Sequence, residues 1–115
     1  MSDRRKILII ENDDFLREIL GNLLHKQGNY ILNGSCIEKG IQTAESENIH
    51  TVILGTDCRK FQGKQSLAYI RKKLGSHVNF FIINDTDEKL DFVDDNMQMN
   101  ISDLSIQTIL DKFSV

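Results

Sequence analysis

The chain has 115 residues, 40% of them hydrophobic and 27% charged, a balance that fits one folded domain over 1–115 and excludes a disordered or low-complexity chain. Its formal net charge of -3 gives no support for nucleic-acid binding, which shows a basic patch or stripe. No apolar stretch approaches the about 18 residues of a membrane span, and two cysteines, Cys36 and Cys58, are too few for a disulfide framework, so the expected setting is a reducing cytoplasm away from membranes.

The pattern reads as strand–helix units. Arg4 to Ile10 leads straight into acids, so no secretory leader is expected, and Lys6 to Ile10 is the first strand. The helix after it carries Leu16, Ile19, Leu20, Leu23 and Leu24 at i, i+3, i+4, i+7, i+8 spacing, with Asp13 or Asp14 as N-cap and Gly28 as its stop. Tyr30-Ile31-Leu32 is a second strand; Ile37, Ile41 and Ala44 mark the buried face of a second helix; Thr51 to Leu54 is a third strand. Leu67, Ile70 and Leu74 place a third helix from Lys64, closed by Gly75, and Val78 to Ile83 is a fourth strand. Only Asn84 to Asp91 then separates Ile83 from Phe92-Val93-Asp94-Asp95, room for two helical turns at most. Asn96 to Met99 reads as a weak fifth strand, and a last helix runs from a Ser102 N-cap through Leu104, Ile109, Leu110 and Phe113.

Continuous apolar runs such as Ile7–Ile10 and Val52–Leu54 are the signature of strands buried on both faces, hence of a parallel sheet covered by helices. In such sheets the site lies beyond the carboxyl ends of the strands. There the first run stops at Glu11-Asn12-Asp13-Asp14 and the third at Gly55-Thr56-Asp57. A phosphate-handling site needs carboxylates from both stops, and the second offers a glycine first.

KILIIENDDFLREILGNLL resembles the opening of a two-component response-regulator receiver domain, HTVILG with GKQSLAYIRKK its third strand and helix, and FVDDNMQMNISDLSIQTILDKF its last strand and helix. The resemblance covers about residues 5 to 113. It implies an α/β three-layer sandwich, flavodoxin-like, with a parallel five-stranded sheet of order 2-1-3-4-5 and, because of the short segment after Ile83, a fourth helix that is short or missing.

In receivers an aspartate ending the third strand takes a phosphoryl group from a phosphohistidine, acids after the first strand help hold Mg2+, and a Thr or Ser and a Lys grip the phosphoryl oxygens. With Gly63 matched to the glycine that opens the third helix, the phosphoacceptor position falls on Gly55. The acid pair falls on Glu11 and Asn12, with Asp13 beside them. The Thr/Ser position falls on Asn84, the aromatic switch on Asn96, the lysine on Met99 and its proline on Asn100; the chain has no proline at all, and no Lys lies between Lys89 and Lys112. Together these losses imply a degenerate form, a pseudo-receiver, with no catalytic residue and no cofactor.

The alternative is Asp57. A loop shortened by two residues would bring it to the acceptor's place, where it would join Glu11 and Asp13 around Mg2+ in a phosphoacceptor response regulator; otherwise it is a loop carboxylate past the strand end. Glu11, Asn12, Asp13 and Asp57 then form a vestigial acidic pocket, and weak cation binding at Glu11, Asp13 and Asp57 is the most that pocket would support. Acids at a helix N-terminus are also accounted for by the helix dipole alone. His25, His50 and His77 are widely separated and Cys58 has no neighbour that marks a low-pKa thiol. What remains is surface. The resemblance implies that partners meet the face made by the fourth helix, fifth strand and fifth helix, which here carries Phe92, Met97, Met99 and Ile101. The expected role is two-component signal transduction by protein–protein interaction, with a partner protein or a second copy.

Overall fold

A computed structural model describes residues 5–55, 64–84 and 98–100, with 64–66, 83–84 and 98–100 described by their backbone. The elements run β1 (Lys6–Ile10), α1 (Asp14–Lys26), β2 (Tyr30–Gly34), α2 (Ile37–Ala44), β3 (Thr51–Leu54), α3 (Lys64–Leu74), β4 (Asn79–Asn84) and β5 (Gln98–Asn100). The strands form one sheet of order β2-β1-β3-β4-β5, and every neighbouring pair is parallel. This is the flavodoxin-like order that the receiver resemblance implies, and the parallel pairing is the one the apolar runs predict.

Parallel neighbours need crossovers, and the helices that make them cover both faces of the sheet. Alternation along β1 divides the core. Leu8 and Ile10 join Ile37, Ile41 and Ala44 of α2 and Leu67, Ile70 and Leu74 of α3 in one buried cluster. Ile7 and Ile9 join Leu20 and Leu24 of α1, with Ile53 and Phe81, in the other. β1 is therefore apolar at every position but its first, as a strand at the middle of a three-layer sandwich must be.

Local signals end each element where the sheet needs it. Asp13 caps α1, its carboxylate accepting the Leu16 N–H at 3.0 Å. The helix stops in a Schellman turn: Gly28 takes a positive φ, its N–H donates to His25 and the Asn29 N–H donates to Leu24. The predicted stripe of α1 is narrower than its spacing implied. Leu20 and Leu24 are buried and Leu16 and Leu23 half-buried, but Ile19 stays 37% exposed because these four leucines already fill the width facing the sheet.

β2 and α2 meet backbone to backbone. A Cβ on Gly34 would collide with the Gly40 backbone, and one on Gly40 would stand 2.9 Å from the Ile10 side chain. β4 ends at Asn84 and β5 starts at Gln98, so Met99 pairs with Ile83 and Asn100 with Asn84. The expected short or missing fourth helix, the final helix from Ser102, Asn96 and Met97 lie outside the described residues. Among the described residues no helix is long and apolar enough to cross a membrane.

Candidate functional site

The carboxyl ends of β1, β2 and β3 are tied together by the main chain. Ile10 sits beside Leu54 in register, and the Gly55 N–H donates to the Ile10 carbonyl at 2.8 Å. On the other side the Glu11 N–H donates to the Gly34 carbonyl at 3.0 Å. Glu11 and Gly55 are thus neighbours at the mouth of the sheet, where a ligand site is expected in this topology.

The side chain of Glu11 turns inward and is only 4% exposed. Its Oε2 accepts the Asp13 N–H at 2.9 Å, which aims the carboxylate across the strand ends. It lies over Gly55. A Cβ on Gly55 would overlap it, standing 2.7 Å from Cδ and 3.3 Å from Oε2. Gly55 does not have a positive φ, which among the described residues occurs at Gly28 and Gly75. Glycine leaves this space to Glu11: the carboxylate occupies the room in which a side chain at position 55 would begin, and would have to shift to admit one.

The other acids of the cluster are exposed and already employed. Asp13 is the helix cap, and Asp14 pairs with Arg17 one turn on. The Arg17 guanidinium also donates to the Glu11 carbonyl at 2.6 Å, so a cation spans the acidic loop and bonds to its first residue. The spacing of Asp14 and Arg17 is legible as an i, i+3 ion pair; the bond to the Glu11 carbonyl carries no sequence signal. Asn12 is exposed. Among the described residues, no group of three His, Cys, Asp or Glu side chains is placed to hold a metal ion. Asp57, the third weak ligand candidate, lies outside the described residues.

The remaining sequence candidates are placed as follows. Gly55 is buried at the end of β3, and the Asn84 and Met99 backbones lie in β4 and β5. Asn96, Phe92, Met97, Ile101 and Cys58 lie outside the described residues. Cys36 stands at the N-terminus of α2 as a free thiol, and His50 accepts the Lys6 N–H at the opposite end of the sheet, 3.0 Å away.

Solved structures with this arrangement include a response regulator receiver domain protein from Clostridium thermocellum, 21% identical, with a TM-score of 0.74 over 95% of this chain and 90% of that one. The chain has the receiver fold. A CheY-like receiver domain protein from Methanospirillum hungatei matches with a TM-score of 0.79 at 15% identity, over 96% of this chain and 90% of that one. A response regulator from Burkholderia pseudomallei, with a phosphorylated aspartic acid, a calcium ion and citrate, matches at 10% identity and a TM-score of 0.75, over 96% of this chain and 67% of that one. No protein-family model matches the chain, and no curated protein does. At these identities the shared feature is the receiver fold, and the residues at the mouth of the sheet decide what it does here.

Proposed function

We propose that this chain is a pseudo-receiver: a cytoplasmic, non-enzymatic signalling module on the receiver fold that acts by protein–protein contact without phosphoryl transfer. One observation carries the reading. The residue in line with the acceptor position is Gly55, which has no nucleophile, and the Glu11 carboxylate fills the space beside it. Two more agree with it. Arg17 already supplies a positive charge at the acidic loop, and Asp13 is committed to the α1 cap.

Phosphoryl transfer at a receiver-type site relies on a metal ion to neutralise the charge that builds on the transferred group. A carboxylate that already accepts a main-chain N–H, in a loop whose Asp14 is paired with a guanidinium, is a poor partner for that ion. The rival reading keeps Asp57 as a Mg2+-dependent acceptor. Titration of 15N-labelled protein with Mg2+ and beryllofluoride, a mimic of an acyl-phosphate, separates the two. The pseudo-receiver reading predicts unchanged amide shifts for Glu11, Asp13 and Gly55; saturable shifts of these amides would favour the acceptor.

A further inference from the structure

We infer that the edge of β2, unpaired among the described residues, is a homodimer interface, in which two copies pair their β2 strands antiparallel about Leu32 and continue the sheet from one molecule into the next. β2 is the terminal strand of the sheet order. Edge strands invite pairing, and proteins blunt them with charges, proline or a bulge. Tyr30-Ile31-Leu32-Asn33-Gly34 has no charge and no proline, and its register with β1 runs unbroken.

The direction of its free groups follows from the bonds it makes. The Tyr30 N–H donates to Arg5 and the Gly34 carbonyl accepts from Glu11, so these residues face β1. Alternation turns the N–H and C=O of Ile31 and Asn33 outward. A two-fold axis at Leu32 sets Ile31 opposite Asn33 of the second copy, and directly opposed residues of an antiparallel pair can exchange both N–H···O=C bonds. The same axis sets Tyr30 opposite Gly34, the pairing of an aromatic with an edge glycine.

The helix above the edge has the same centre of symmetry. Gly21 of α1 lies over β2 between Ile31 and Asn33, its Cβ position 3.8 Å from the Ile31 side chain and 3.9 Å from that of Asn33. A groove of about 550 Å³ runs there between α1 and the strand edge. The residues of α1 that line it include Glu18 one turn before Gly21 and His25 one turn after. An axis through Leu32 sets the two α1 helices antiparallel with Gly21, which adds no side chain of its own, near the crossing. It also brings Glu18 of each copy toward His25 of the other. Arg17 lines the same groove, but its guanidinium is bonded to the Glu11 carbonyl and to Asp14 of its own chain. Strand register, helix crossing and the Glu18–His25 pairing therefore share one axis, which favours a second copy over an unrelated strand.

Sedimentation velocity from micromolar to millimolar protein tests this with two independent sets of variants. Asn33→Pro removes an outward N–H that β1 does not use, a change an edge strand tolerates. It should leave the circular dichroism unchanged and raise the dimer dissociation constant by about tenfold or more. Glu18→Arg and His25→Glu should each weaken the dimer several-fold, and the double variant Glu18→Arg/His25→Glu should restore it. The charge swap decides the matter if Asn33→Pro does not fold. A wild-type protein that stays monomeric throughout overturns the proposal, as does a dimer indifferent to both sets, which would use another face. A monomer whose β2 amides shift on adding an unrelated extended peptide overturns the choice of a second copy.

Discussion

The carboxylate of Glu11 and the missing side chain of Gly55 share one volume. Neither residue is explained alone: a buried glutamate at the mouth of the sheet needs the glycine opposite, and a glycine without positive φ needs a reason for having no side chain. This mutual fit predicts coupling. Gly55→Ala should displace the Glu11 carboxylate, break its bond to the Asp13 N–H and destabilise the fold by about 1 kcal/mol, the net worth of one hydrogen bond. In the Glu11→Ala background the same change should cost far less. Urea unfolding of the four proteins of that cycle measures the coupling, and additive effects would mean the two residues do not share the space.

Arg17 holds the acidic loop from above. Arg17→Ala removes the bond to the Glu11 carbonyl and leaves Asp14 unpaired, with an expected loss of about 1 kcal/mol. The same variant should bind divalent cations more tightly than the wild type, because the resident positive charge is gone. Calorimetric titration with Mg2+ checks this, and equal affinities would show that Arg17 does not act as the loop's cation.

Asp13 has a structural task as the cap of α1. Asp13→Ala should lower stability by about 0.5–2 kcal/mol through loss of the α1 cap, while Asp13→Asn, which can still accept the Leu16 N–H, should lose only a fraction of that. A metal-ligand role for Asp13 would reverse the pattern in Mg2+-dependent stabilisation, with both variants losing it equally. Thermal unfolding with and without Mg2+ distinguishes the roles.

Gly34→Ala should be the most damaging of the small substitutions. Its Cβ meets the Gly40 backbone of α2, which cannot swing aside as a side chain can, so an overpacking cost of about 1–3 kcal/mol is expected. Denaturant midpoints for Gly34→Ala against Gly28→Ala separate close packing from backbone strain: nothing lies within 4 Å of a Cβ at Gly28, whose cost arises from its positive φ.

The sheet was legible because its evidence is repeated along the chain. Ile7–Ile10 and Val52–Leu54 are apolar without interruption, and only a strand covered on both faces tolerates that. Helix ends were legible where one residue type has one mechanism, as at the Gly28 stop and at the cap, read as Asp13 or Asp14 and found at Asp13. Ile19 was overcounted because periodicity reports direction but not how wide a helix face the sheet can accept. The site was half legible. Gly55 at the end of the third strand could be read directly, but that Glu11 lies over it depends on an inward turn set by the Asp13 N–H, a contact between main chain and side chain that no spacing encodes. Gly34 and Gly40 are likewise ordinary glycines until β2 and α2 are laid together.

The central claim is that no aspartyl phosphate forms on this chain, and intact mass after incubation with acetyl phosphate and Mg2+ tests it most directly, with Asp57→Asn beside the wild type. The account predicts no added phosphoryl mass in either protein while circular dichroism confirms both are folded. A wild-type gain of one phosphoryl group that disappears in Asp57→Asn would contradict it and make Asp57 the acceptor.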